Sequence, residues 1–265
     1  MGALLWREVG RLAGEILPLG WALVSGLMVQ LHAYEAGELG VRTTTDIDIL
    51  GDARGRGGLS AIVRALLEDD FVLDVPSAGD RIGHRWRRGE LVVDLLAPDG
   101  LRRDPSVSGQ IRTLQIPGGS QALVRAEEVA VVIEGVRATV RRPTLLGALL
   151  LKARAIRVHA DPDAQRADLV LLRSLIQDPG TAAAELKPAE RKWLRDSADV
   201  LGLGDPVRMA SFAALGERSW PSLGSLRRSR DDRRSSSASP DPGKSRPNHS
   251  TFPHPQILAL FLASF

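Results

Sequence analysis

Apolar residues in the opening stretch fall at Leu4, Leu5, Val9, Leu12, Ile16 and Leu17 with charged residues between them, the spacing of one buried helix face. Leu19-Gly20 ends that helix, Trp21 to Val24 is a short apolar run, Ser25-Gly26 is a turn, and Leu27 to Tyr34 returns to helical spacing. Val41 to Leu50 alternates and is rich in Thr and Ile, which predicts a strand; Gly51 to Gly58 reads as a loop and Leu59 to Leu67 as a helix. Strands are predicted at Phe71 to Val75, Ile82 to Trp86 and Leu91 to Leu96, with Arg88-Gly89 as the turn joining the last two. Ile111 to Ile116, Val129 to Ile133 and Val136 to Val140 are shorter strand signals. After Pro143 the pattern becomes helical throughout: Thr144 to Val158, Pro162 to Ile176, Pro188 to Leu201 and Pro206 to Leu215, three of them opening on proline. The expected fold class is therefore α+β, with a sheet-containing domain over residues 1–142, a helical domain over 143–220 and a disordered tail over 221–265. No internal repeat is visible.

Composition narrows the functional classes. A chain of 265 residues with 43% hydrophobic and 25% charged positions can bury a real core. The absence of Cys removes disulfide scaffolds, thiolate zinc sites, iron–sulfur clusters and cysteine nucleophiles, and accords with a cytoplasmic location. No stretch reaches the ~18 to 20 apolar residues of a membrane span, and Glu15, Gln30, His32 and Glu35 around the run from Ile16 to Val29 argue against a signal peptide. The formal charge of +3 is concentrated at one end: from Pro221 to Ser250 seven basic residues face three acidic ones, so everything else sums to −1. The same thirty residues hold nine Ser, four Pro and two Gly, a composition that cannot repay the entropy of ordering. The remainder has no strong global field for polyanions.

The chemistry concentrates in Arg42-Thr43-Thr44-Thr45-Asp46-Ile47-Asp48-Ile49-Leu50. On a strand, Arg42, Thr44, Asp46 and Asp48 share one face and Ile47 and Ile49 the other. Carboxylates two residues apart lie ~7 Å from each other and repel by about 2.4 kcal/mol at an effective dielectric of ~20. Asp94 interrupts the otherwise apolar run Leu91-Val92-Val93-Asp94-Leu95-Leu96, and a carboxylate in such a setting is paired, protonated or bound to metal. Were the three acids neighbours, their repulsions would total roughly 7 kcal/mol, comparable to the ~5 to 15 kcal/mol stability of a domain. Something positive must sit among them, or one must hold a proton; Mg²⁺ is the economical answer.

The succession Val24-Ser25-Gly26-Leu27-Met28-Val29-Gln30-Leu31-His32, then Arg42, Thr44 and Asp46-Ile47-Asp48, then Val93-Asp94-Leu95-Leu96, resembles the nucleotidyltransferase superfamily of the DNA polymerase β type, and most of all its AbiEii-type toxin branch. Lys152 and Asp168 resemble that branch's helical Lys and Asp, so the likeness extends over about residues 17 to 176. It implies a mixed sheet flanked by helices and transfer of a nucleoside monophosphate from an NTP to an acceptor hydroxyl, which in the toxin branch belongs to a tRNA 3′ end, with a cognate antitoxin as protein partner. It further implies two Mg²⁺ ions held by Asp46, Asp48 and Asp94, with Asp94 assisting deprotonation of the acceptor. Nucleotide contacts would come from Ser25, Gly26, Arg42, Thr44, Lys152 and Asp168.

The sequence departs from that pattern in two places. The turn reads Ser25-Gly26 where the family has Gly-Gly or Gly-Ser, and Ala164-Gln165 stands where the branch often carries a Lys-Asp pair. These departures define an alternative: a catalytically degenerate module of the same fold that binds nucleotide or an antitoxin. Several residues also have plain structural readings: Lys152 and Asp168 as a mutual ion pair, Arg42 as a strand-start charge, His32 as a core imidazole, and Arg85, Arg87 and Arg88 around Trp86 as the wet face of a ribbon or an RNA groove.

Overall fold

Two helices wrap the start of the chain around a central sheet. In the computed structural model, α1 (Gly2–Ile16) leads into β1 (Trp21–Leu23), which turns at once into α2 (Ser25–Glu35), followed by β2 (Ile47–Gly51), α3 (Gly58–Glu68) and β3 (Val72–Leu73). Then come β4 (Arg85–Arg88), β5 (Leu91–Pro98), the short strands β6 (Ser106–Ser108), β7 (Ile111–Arg112) and β8 (Gln115–Ile116), α4 (Gly119–Val124), and the hairpin of β9 (Ala126–Ile133) and β10 (Val136–Pro143). Helices α5 (Leu145–Ala155), α6 (Pro162–Ser174), α7 (Pro179–Ala184) and α8 (Pro188–Leu201) follow, and β11 (Leu258–Leu260) comes last. The structure describes residues 2–16, 20–38, 41–54, 58–75, 81–133, 135–156, 158, 162–201 and 258–260. The helix expected at Pro206 to Leu215 and the tail from 221 lie outside them, apart from β11.

The main sheet runs β1-β2-β5-β4-β3, with β8 attached to β5. Only β2–β5 and β5–β8 are parallel in it; β1–β2, β4–β5 and β3–β4 are antiparallel. β9 and β10 form a separate antiparallel ribbon that β11 joins in parallel through Leu258↔Val131. This is the expected α+β arrangement of a mixed sheet flanked by helices. β5 is central because it can be: seven of its eight residues are buried, the reading of a strand covered on both faces.

Two apolar cores lie on either side of the sheet. One joins Leu5, Trp6, Val9 and Leu12 of α1 and Leu59, Ile62 and Leu66 of α3 to Ile47, Ile49, Val93 and Leu95. The other joins Leu50 and Leu96 to α5, α6 and, through the partly buried Trp193 and Leu194, to α8. Helix α2 belongs to both, giving Leu27 and Leu31 to the first and Met28, Val29 and Ala33 to the second. Apolar residues all round a helix mean burial all round, and the polar side chains it carries are satisfied inside. Gln30 accepts from Trp6 Nε1 and donates to the Arg42 carbonyl, and His32 Nε2 donates to the Pro143 carbonyl at 3.0 Å. Burial, aided by Arg142, lowers the His32 pKa to about 3, so this is a neutral core imidazole.

Several boundaries differ from the sequence-based expectation. The strand expected over Val41 to Leu50 pairs only from Ile47, because the residues before it turn away to Gln30 and to α6 rather than to a neighbouring strand. The strand expected at Ile82 to Trp86 is β4, shifted to Arg85–Arg88, with Ile82 making only an isolated bridge to Arg112. Ile111 to Ile116 divides into β7 and β8. Helix α4 was not expected; it forms because Asp99 accepts from the Gly118 and Ser120 amides, both at 2.9 Å, satisfying donors at its first turn. Helix α8 is tied down by Glu190, buried and gripped by both Nη atoms of Arg125 at 2.8 and 2.9 Å. No helix among the described residues is long and apolar enough to cross a membrane.

Because Leu95 is completely buried at the middle of the central strand, truncation to Ala should lower stability by about 2–5 kcal/mol. Urea unfolding of the Leu95→Ala variant would measure it, and a loss below 1 kcal/mol would contradict this placement of β5.

Candidate functional site

The acids meet where β2 and β5 run side by side. The parallel register sets Asp48 opposite Asp94, and Asp46 immediately precedes β2. Apolar neighbours hold this placement, since Ile47 and Ile49 are buried on the other face of β2 and Val93 and Leu95 flank Asp94 on β5. Crowding has the consequence that electrostatics demands: burial first, then the charges of Asp46 and Asp94, push the Asp48 pKa up to about 7. Lys152 and a hydrogen bond from the Ser25 hydroxyl act in the opposite direction.

At the end of β1 the chain turns through Ser25 at φ +56°, left-handed backbone that a residue with a Cβ seldom adopts. No side chain caps the helix that follows. A Cβ on Gly26 would come within 2.9 Å of Thr44 Cβ, so only glycine lets the first turn of α2 approach the segment that carries Asp46. Thr44 in turn donates to Asp46 Oδ1 at 2.7 Å. Ser25, Gly26, Thr44, Asp46 and Asp48 are thus one contiguous group.

A second group sits behind it. Arg42 donates through Nε and Nη2 to the two oxygens of Asp168, both at 2.8 Å, and Lys152 Nζ reaches Asp168 Oδ2 at 2.7 Å and Gln165 Oε1 at 2.9 Å. Lys152 and Asp168 are each only 2% exposed, whereas the Arg42 side chain retains 27%. Burial opposes the ionised form of Asp168, but Lys152 and Arg42 together hold its pKa below the ordinary carboxylate value. Burial also opposes the Arg42 charge, and Asp168, Asp48 and Asp46 more than restore it. The Lys152–Asp168 pair between α5 and α6 is therefore present, with Gln165 and Arg42 as third and fourth members.

Arg85 is the residue whose part sequence reasoning missed. It lies opposite Asp94 in the β4–β5 ladder and forks onto it, Nε to Oδ1 at 2.9 Å and Nη2 to Oδ2 at 2.7 Å. Its Nη2 is also 3.7 Å from Asp46 Oδ2. His84 stands nearby with Nε2 4.0 Å from Asp94 Oδ2. The other two arginines of that cluster are structural: Arg87 pairs with Asp74, and Arg88 joins Glu8 and Asp69 and lies over the Phe71 ring.

Asp46 and Asp48 suit a hard divalent cation, because they are adjacent carboxylates and Asp48 is short of positive charge. Asp94 does not offer the same, since both its oxygens serve Arg85. Among the described residues no three Asp, Glu or His side chains are gathered into a metal cage.

No protein-family model matches the sequence, and no curated protein is significantly similar to it. Among solved structures the chain is similar to an antigenic nucleotidyltransferase-like protein from Paracoccidioides brasiliensis, at 17% identity and a TM-score of 0.47, over 79% of this chain and 92% of that one.

Asp48 gives a signed test of this electrostatic picture. Its folded-state pKa of about 7 lies above the ordinary 3.8, so between those values the native state holds a proton that the unfolded chain releases. The contribution of Asp48 to stability must then fall as pH rises through that window. Comparing urea midpoints of the wild type and Asp48→Asn should show the variant gaining relative stability from pH 4 to pH 8. A constant difference would refute it.

Proposed function

We propose that the chain is a nucleotidyltransferase, in which an acceptor hydroxyl attacks the α-phosphorus of an NTP, the bond from that phosphorus to the bridging oxygen breaks, pyrophosphate leaves and the hydroxyl proton passes to water. The observation that carries this reading is the seating of the Ser25-Gly26 turn, through Thr44, against Asp46 and Asp48. An uncapped helix start and a pair of adjacent carboxylates are complementary halves of a site for a metal-bound triphosphate. Arg42, Lys152 and Arg85 each interact electrostatically with at least one of these acids, so phosphate is not repelled by an unrelieved negative surface.

The residues then have distinct roles. Backbone amides at Ser25, Gly26 and Leu27, at the positive end of the α2 dipole, receive phosphate oxygens. Asp46 and Asp48 would hold Mg²⁺, which when bound neutralises phosphate charge and polarises the phosphorus centre. Thr44 fixes the orientation of Asp46. Asp168 holds Arg42 and Lys152 in place beneath them, so Asp168 is a positioning residue and Arg42, the more exposed of the two cations, faces the leaving pyrophosphate. An RNA 3′ hydroxyl, tRNA first, is the acceptor that the AbiEii-type likeness proposes, with an antitoxin protein as the partner that would silence the site.

The second reading, a module that binds nucleotide without turnover, draws on Arg85, whose grip on Asp94 removes the third acid from ready use. One assay separates the two. Incubation with each α-³²P-labelled NTP, Mg²⁺ and total tRNA should label RNA in the wild type and not in Asp46→Ala/Asp48→Ala. Label on the protein itself would assign a protein acceptor. Mg²⁺-dependent NTP binding by calorimetry without any labelled product would assign the binding module and end the transferase reading.

Asp168→Asn tests the supporting layer. Loss of one partner from a buried ion pair costs about 3–5 kcal/mol, so the variant should melt well below the wild type and lose transfer, and unchanged melting would remove Asp168 from its role.

A further inference from the structure

Resting on the transferase reading above, the geometry points to Arg85 as the protein's own substitute for a second metal ion: the centre takes a single divalent cation, on Asp46 and Asp48, and Asp94 serves the guanidinium instead. Three observations converge. The fork of Arg85 uses both oxygens of Asp94, at 2.9 and 2.7 Å, which is the arrangement in which arginine binds a carboxylate most strongly and leaves least for a competing cation. The same guanidinium reaches toward Asp46, with Nη2 3.7 Å from Oδ2, so one positive charge already lies against both carboxylates. Asp94 is buried, with its side chain only 8% exposed, while Arg85 retains 39%; the guanidinium therefore stands between the buried acid and solvent.

Charge balance agrees. Asp46, Asp48 and Asp94 carry three negative charges when ionised; one divalent ion and Arg85 supply three positive ones. A second divalent ion placed beside an undisplaced Arg85 would set five positive charges against three negative ones before any phosphate arrived. The placement of Arg85 is not an accident of a mobile surface side chain, because the antiparallel register Arg85↔Asp94 sets it there through the backbone. Its partner strand is buried at seven of its eight residues. This assignment makes Arg85 a residue of the reaction centre and Asp94 its anchor.

The test counts ions rather than turnover. The full chain is titrated with Mn²⁺ and the free ion is read by electron paramagnetic resonance, with circular dichroism confirming the fold of each variant. The wild type should bind one Mn²⁺, and Asp48→Asn should bind none. Arg85→Gln should bind two, the second disappearing in Arg85→Gln/Asp94→Asn. Arg85→Lys, which keeps the charge, should still bind one. Two ions on the wild type, or one on both wild type and Arg85→Gln, would overturn the assignment of Arg85 while leaving the transferase reading intact. No ion on any of the proteins would instead remove the metal site on which that reading depends. Should Arg85→Gln fail to fold, Arg85→Met, uncharged and of similar length, takes its place with the same expected count of two.

Discussion

The arrangement turns on the parallel pairing of β2 with β5, which forces Asp48 and Asp94 into adjacent positions on a sheet whose other face is apolar. Neither acid can be moved outward without exposing Ile47, Ile49, Val93 or Leu95, all at most 1% exposed. Like charges held together by hydrophobic burial must be answered locally, and the structure answers them in several ways. Arg85 forks onto Asp94, Ser25 donates to Asp48, Thr44 donates to Asp46, and the remaining strain appears as the raised pKa of Asp48. The negative potential left at Asp48 is what the proposed metal ion would meet.

The buried group behind it extends that logic into the helices. Asp168 is nearly inaccessible, and a lone carboxylate there would be untenable; with Lys152 and Arg42 it becomes the joint between the Asp46 segment, α5 and α6. Such a joint contributes more to geometry than to net stability, because desolvation consumes most of its Coulombic gain. Its value is that Arg42 is held in one orientation although its own segment forms no strand.

Much of this was legible in the sequence because it follows from periodicity. The period-two alternation around Asp46 and Asp48, the lone acid in the β5 run and the turn before α2 pointed to residues that the fold places side by side. What was not legible depended on register. Placing the hairpin turn at Arg88-Gly89 would set Gly83 opposite Asp94, whereas the observed turn is Gly89-Glu90, with Gly89 at φ +58° and Arg88 paired to Leu91, which brings Arg85 there instead. A displacement of one position in a turn thus converted an apparent solvent-facing arginine into the partner of a buried acid. Likewise, Thr-rich alternation before Ile47 suggested a strand, but a strand needs a neighbour to pair with, and Arg42, Thr44 and Asp46 have side-chain partners instead.

Helix α2 supplies both cores at once, with Leu27 and Leu31 on one side and Met28 and Val29 on the other. A helix shared in this way couples the two halves of the molecule mechanically: drawing the α5–α6 layer away from the sheet would uncover one side of α2 and loosen the turn at its start. The layer that carries Lys152 and Asp168 and the strands that carry the acids are therefore packed against one common helix.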